Sequence, residues 1–176
     1  MKMICVYCGS RDGNAPRFAE AAEEVGNGIA ARGLGLVYGA GDVGLMGRVA
    51  RTALDGGAPV VGVIPHHLKT REIEKTDLTE IIAVDSMHER KMIMFKRADA
   101  FVALPGGPGT LDELIELLTW RQLGLHEKPA HLLNLDGYWD PLLTLLNNCV
   151  NNGFANSSFL EFLTVHNTVE DLLAAL

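Results

Sequence analysis

The chain has 176 residues, 48% of them apolar and 21% charged, with a net charge of −7. That suffices for one domain burying roughly 70% of its unfolded surface, and no apolar run reaches the ~18 residues that span a bilayer. The acidic balance argues against a nucleic-acid polymer as partner, and the start MKMICVYCGS lacks the basic and long apolar regions of a signal peptide, so a cytoplasmic location is expected.

Strands and helices alternate from end to end. The pattern predicts a strand over Ile4–Tyr7, a helix over Pro16–Arg32, a strand over Leu34–Tyr38, a helix over Leu45–Leu54 and a strand over Pro59–Ile64. A polar section, HHLKTREIEKTDLT, shows no period. Then come a strand at Glu80–Val84, a helix at Met87–Arg97, a strand at Ala100–Leu104 and a helix at Thr110–Leu123. A strand at Ala130–Leu135, a helix at Trp139–Asn151, a strand at Leu160–Val165 and a helix at Val169–Leu176 complete the series. Continuous apolar strands separated by helices mean a parallel sheet covered on both faces. The expectation is a single α/β domain over 1–176, a Rossmann-like, doubly wound three-layer αβα sandwich. Ligands in such folds lie beyond the carboxyl ends of the strands. The glycine-rich stretches CGS, YGAGDVG and PGGPG all fall there.

Cys5, Cys8 and Cys149 are too few and odd in number for a disulfide framework. CVYC has redox spacing, but it sits in a strand rather than opening a helix, so buried structural thiols are expected. His66 and His67 are neighbours on an extended segment and face opposite ways, which argues against a shared metal.

GAGDVG, with Gly39, Gly41 and Gly44, matches the dinucleotide fingerprint, yet it follows the second strand and the next strand ends in Pro65 without a ribose-binding acid. An anion-holding loop and a purely structural turn both stay open for it. In PGGPGTLDE, Gly106, Gly107 and Gly109 allow close approach, and the helix behind them points unpaired N–H groups into the loop. That is a phosphate cradle without the GK[ST] ending of a triphosphate loop. Thr110 and Glu113 also fit a capping box, which would make Glu113 a structural residue. In DSMHERK, Ser86 and Glu89 fit a second capping box. Arg90 then falls near the fourth helical position beside Met94, Ile93 and Met87, where a buried charge needs a partner, either a structural carboxylate or a bound phosphate. Lys91 points elsewhere, as a solvated cation would.

Together and in this order, these motifs resemble the Lonely guy (LOG) family of cytokinin riboside 5′-monophosphate phosphoribohydrolases, often mislabelled lysine decarboxylases. VYCGS, YGAGDVGLMG, MHERK, ALPGGPGTLDE, TWRQLG and LLNLDGYWDPLL carry the likeness over nearly the whole chain. One departure is Ala40, where the family commonly has glycine; little loss follows unless that position requires a positive φ. The resemblance implies Arg90 and Glu113 as the catalytic pair, with Glu72 and Lys91 contacting substrate. It makes Gly106, Gly107, Pro108, Gly109, Thr110, Leu111 and Asp112 the phosphate loop, Thr119 a more distant contact, and Ser10, Gly39, Gly41 and Gly44 the rest of the pocket. It also implies a homodimer and no cofactor. The implied reaction hydrolyses the N-glycosidic bond of a nucleoside 5′-monophosphate to free base and ribose 5-phosphate. A carboxylate at 113 would stabilise the oxocarbenium-like transition state. No residue tells an isopentenyl group from bare adenine, so a cytokinin nucleotide and AMP both fit. The alternative is a non-catalytic carrier of a nucleotide or phosphorylated cofactor on the same fold. A decarboxylase would need a lysine in an enclosed pyridoxal site, and none of the lysines has that setting.

Overall fold

The computed structural model describes residues 1–68 and 77–176. Among these, seven strands form one sheet in the order β4-β3-β2-β1-β5-β6-β7, and every neighbouring pair is parallel. The strands are β1 (Met3–Tyr7), β2 (Gly35–Tyr38), β3 (Val60–Pro65), β4 (Glu80–Val84), β5 (Ala100–Ala103), β6 (Ala130–Leu133) and β7 (Thr164–His166). The helices are α1 (Pro16–Ala31), α2 (Gly44–Asp55), α3 (Met87–Arg97), α4 (Pro108–Gln122), α5 (Asp140–Asn151) and α6 (Val169–Ala174).

Both faces of the sheet are buried, which is why its central strands read as unbroken apolar runs. Ile4 and Val6 of β1 face a core that includes Val25, Val49 and Leu172 of α1, α2 and α6. Cys5 and Tyr7 face the opposite core, with Met94, Leu117 and Leu142 of α3, α4 and α5. The predicted αβα sandwich is thus observed. Cys5 in β1 and Cys8 just beyond its end are free and buried, and burial, reinforced by the charge of Glu113, pushes them up from the ordinary thiol range. They are inert core groups, as their place in and just after a strand predicts.

Most boundaries differ from the sequence reading by a residue or two, and three of the differences bear on how elements begin. Helix α4 starts at Pro108, two residues before Thr110, because proline suits the first helical turn and Gly107 takes the cap. Helix α5 starts at Asp140, after a 3-10 turn over Leu135–Gly137. The last strand starts only at Thr164; Ser157–Phe162 forms a 3-10 segment whose Phe159 is buried. A short apolar run does not announce by periodicity which of these it will become.

The strand order reverses direction between β1 and β5, whose onward connections leave toward opposite edges of the sheet. The loops after these two strands therefore part and leave a crevice, the usual ligand position in an open α/β sheet. They are joined at its floor by Gly9 N–H donating to Pro105 O at 3.1 Å.

Candidate active site

Arg90 reaches the crevice from the first turn of α3. The predicted capping box forms: Glu89 N–H donates to Ser86 Oγ at 3.1 Å, while Glu89 Oε2 accepts from Asp85 N–H at 2.9 Å, one residue before the cap itself. This register places Arg90 fourth in the helix and buries it to 5% exposure. Its Nε donates to Val63 O at 3.1 Å and its Nη2 to Gly39 O at 2.6 Å, tying the ends of β3 and β2 together. Main-chain carbonyls are thus partners that the choice between carboxylate and phosphate had not included. They satisfy part of what a buried guanidinium requires. Gly39 is a glycine for the same reason: a Cβ there would overlap Nη2 and come 3.0 Å from Cζ.

Lys91 is not a solvated cation. It is 8% exposed, and its Nζ holds Asp112 Oδ2 and Glu116 Oε2, each at 3.0 Å, across the α3–α4 contact. Burial pushes the ammonium down, but the two carboxylates outweigh it and its pKa stands above the ordinary lysine value. Asp112 is accordingly drawn toward Lys91.

The β5–α4 loop shows which of its glycines serve packing. A Cβ on Gly106 would overlap Thr110 Oγ1 and stand 3.0 Å from Gly9 N, so Gly106 lets the two loops touch. Among the described residues, Gly107 and Gly109 have nothing within 4 Å of where a Cβ would lie. Gly109 even sits inside the first turn of α4, where glycine is unfavourable. Among the described residues, the amides of Gly107, Gly109 and Thr110 carry no hydrogen bond. They lie at the positive end of the helix dipole, a donor array suited to an anion. The capping box expected from Thr110 and Glu113 does not form, since the cap is Gly107 without a side-chain bond and Thr110 is buried as the third helical residue.

These parts meet in a cavity of about 230 Å³ walled by Ser10, Arg90, Gly107, Gly109, Thr110 and Glu113. Glu113 lines this cavity beside Cys8, at the end of β1; burial first and the Glu113 charge second raise the Cys8 and Cys5 thiols. A larger cavity of about 510 Å³ adjoins it, sharing Gly9, Ser10, Gly107 and Pro108 and adding Phe18, Leu45 and Tyr138. Arg11 and Asp12 border that second space, but Asp12 is already forked onto Arg48 at 2.7 and 3.0 Å. The α4 amides, a carboxylate and a guanidinium come together only in the smaller cavity of the two.

The family model described as "Possible lysine decarboxylase" matches residues 46–176. The chain is 49% identical over 170 residues to the probable cytokinin riboside 5′-monophosphate phosphoribohydrolase LOGL1 of Oryza sativa subsp. japonica, covering 97% of this chain and 76% of that protein. It is 52% identical over 153 residues to the cytokinin riboside 5′-monophosphate phosphoribohydrolase LOG7 of Arabidopsis thaliana, covering 87% and 70%. The chain belongs to the LOG family. Among solved structures, it is similar to the molybdenum cofactor carrier protein of Chlamydomonas reinhardtii, with a TM-score of 0.75 at 23% identity over 99% of this chain and 94% of that one. The molybdenum cofactor binding protein of Rippkaea orientalis gives 0.72 at 20% identity, with the same coverage. At such identity the likeness concerns the fold.

The remaining positions that the LOG resemblance names are spread more widely. Glu72 lies outside the described residues. Ser10, Pro108 and Thr110 line the smaller cavity. Leu111 packs against the core beneath α4. Thr119 is exposed three turns along α4, with Oγ1 donating to Ile115 O at 2.7 Å. Gly39 and Gly41 do not border this cavity, and Gly44 faces a separate depression with Asp12 and Arg48. Gly44 has φ +63, and a Cβ there would overlap the Ser10 main chain, so Gly44, like Gly39, is explained by packing, whereas at Gly41 a Cβ would meet only the Met46 side chain at 3.3 Å. Ala40 meets the condition set for it: its φ is +62, a conformation that disfavours an L-residue by roughly 1–2 kcal/mol. Its Cβ fills the space over Gly62, where an added Cβ would come within 2.7 Å of it. Sequence reasoning missed Met46, Met87 and Tyr138 at the crevice. The tyrosine was in view in LDGYWD, but nothing local says where its ring goes.

Among the described residues no group of three or more His, Cys, Asp or Glu could hold a metal, and no helix is long and apolar enough to cross a membrane.

Proposed function

We propose that this LOG-family chain hydrolyses the N-glycosidic bond of nucleoside 5′-monophosphates, releasing base and ribose 5-phosphate. The observation that carries the reading is the meeting of the unbonded α4 amides, Arg90 and Glu113 in one cavity. The 5′-phosphate takes the amides of Gly107, Gly109 and Thr110, which fixes the ribose beside Glu113. As the bond from C1′ to the base nitrogen lengthens, positive charge grows on the ribose, and the Glu113 carboxylate stabilises it more than it stabilises the substrate. Water adds to C1′, and its proton goes, in net, to the departing base. Arg90, held by two main-chain carbonyls, is always charged and so binds phosphate or ribose and orients Glu113 rather than giving up a proton. Lys91 keeps Asp112 in place from behind.

On this reading the chain is one domain over 1–176, works as a cytoplasmic homodimer, needs no cofactor, and with a net charge of −7 does not engage nucleic-acid polymers. The molybdenum cofactor likeness adds no second function, because it concerns the fold.

Incubation with AMP and, separately, isopentenyladenosine monophosphate should liberate adenine and isopentenyladenine, followed by chromatography. Release from neither removes the proposal, and the ratio of the two rates identifies the base. Gly109→Ala separates the cradle from the helix it opens. Stability should hold or rise by up to about 1 kcal/mol, since alanine is the better helix former and meets no neighbour. Turnover should fall about tenfold or more as the methyl group enters the space in front of the amides. A loss of melting temperature with unchanged turnover contradicts this assignment of Gly109.

A further inference from the structure

We propose that Tyr138 is a positioning residue that sets the aim of the Gly107 amide; this rests on the reading of the β5–α4 loop as the anion site. Tyr138 Oη donates to Gly106 O at 2.6 Å. A trans peptide is planar, with C=O and N–H antiparallel, so fixing the Gly106 carbonyl toward Tyr138 turns the Gly107 N–H the opposite way. Gly107 borders both cavities and Tyr138 only the larger, so on this proposal the Gly107 N–H turns from the Tyr138 side toward the smaller one. The neighbouring carbonyls are already held, Pro105 O by Gly9 N–H and Gly107 O by Leu111 N–H, both at 3.1 Å. The peptide between Gly106 and Gly107 joins two glycines and rotates easily by itself. The tyrosine hydroxyl supplies its restraint.

The β6–α5 turn is built to present this side chain. Asp136 (φ 52) and Gly137 (φ 74) are both left-handed, although only the second is a glycine. Buried Asn134 locks the turn, its Nδ2 donating to Asp140 Oδ1 at 2.8 Å and its Oδ1 accepting from Trp139 N–H at 2.7 Å. The Tyr138 ring meets Phe18 and Trp139 edge-on, at centroid distances of 5.5 and 4.8 Å, yet remains 40% exposed. A strained turn that leaves its aromatic residue half in solvent is not explained by core burial. It is explained by the carbonyl at the end of the hydroxyl.

Tyr138→Phe keeps the ring contacts and removes the bond. Calorimetry with inorganic phosphate and with ribose 5-phosphate should show about tenfold weaker binding, and the KM for AMP should rise in parallel with kcat within about twofold. The melting temperature should stay within about 2 °C. Phe18→Leu, which keeps the hydroxyl but removes the ring edge beside it, should move the same constants in the same direction by about threefold. Unchanged phosphate binding in Tyr138→Phe overturns the inference, whether or not the fold is weakened, and so does a fall in kcat at constant KM. If the unmodified protein binds no phosphate, the anion reading of the loop fails. If it binds phosphate but hydrolyses no monophosphate, the hydrolase reading fails while the Tyr138 comparison still decides this one.

Discussion

Glu113→Gln should lower the rate of base release about 10³-fold or more while the melting temperature stays within about 3 °C. The substitution keeps shape and polarity and removes only the charge. Glu113 sits six residues into α4, beyond the Gly107 cap, so helix initiation does not depend on it. It lines the smaller cavity together with Cys8 and Gly9, at the end of β1 where the loops meet. A negative charge fixed there costs nothing to reorganise as the ribose becomes cationic, and about 4 kcal/mol of transition-state stabilisation corresponds to the expected loss. Single-turnover chromatography on AMP, paired with thermal denaturation, measures both quantities. Retained turnover with a large drop in stability would return Glu113 to a structural role.

The second large effect should come from Gly39→Ala, a substitution conservative in sequence alone. Its methyl group would occupy the position of Arg90 Nη2, and the guanidinium, 5% exposed, has nowhere to move without losing the 2.6 Å bond to Gly39 O. A cost of about 3 kcal/mol is expected, from overpacking together with a weakened buried charge, or a fall of about 6–12 °C in melting temperature. Turnover should drop about 100-fold as the guanidinium is displaced from the cavity wall. Gly41→Ala is the contrast: its nearest neighbour would be the flexible Met46 side chain at 3.3 Å, and less than about 1 kcal/mol should be lost. If the loop instead served as a dinucleotide grip, the two substitutions would damage ligand binding alike with little effect on folding. Denaturant titration and the AMP assay on both variants distinguish these outcomes.

The sequence by itself determined the architecture and pointed to the strand ends as the place to look for a site. Unbroken apolar strands require a sheet covered on both faces, and CGS and PGGPG lie at the crevice that such a sheet leaves, whereas Gly39 and Gly41 do not border the smaller cavity. The α3 cap was equally legible, because a serine three residues before a glutamate is a local signal with a local cause. At α4 the same spacing, in Thr110 and Glu113, left a cap and a functional carboxylate both open, and the structure has Gly107 and Pro108 opening the helix upstream instead.

Only the tertiary structure decided what each polar group holds. Arg90 bonds carbonyls 51 and 27 residues away, Lys91 carboxylates 21 and 25 residues away, and Tyr138 a carbonyl 32 residues away. Periodicity records which face of an element is buried. It does not record which partner a crossover will bring opposite that face. The glycines divide along the same line: Gly39, Gly44 and Gly106 are needed by neighbours distant in the chain, whereas a Cβ added to Gly107 or Gly109 would meet nothing within 4 Å among the described residues. On the proposed reading that distinction separates a packed turn from an anion cradle, and it exists only once the backbone has been placed.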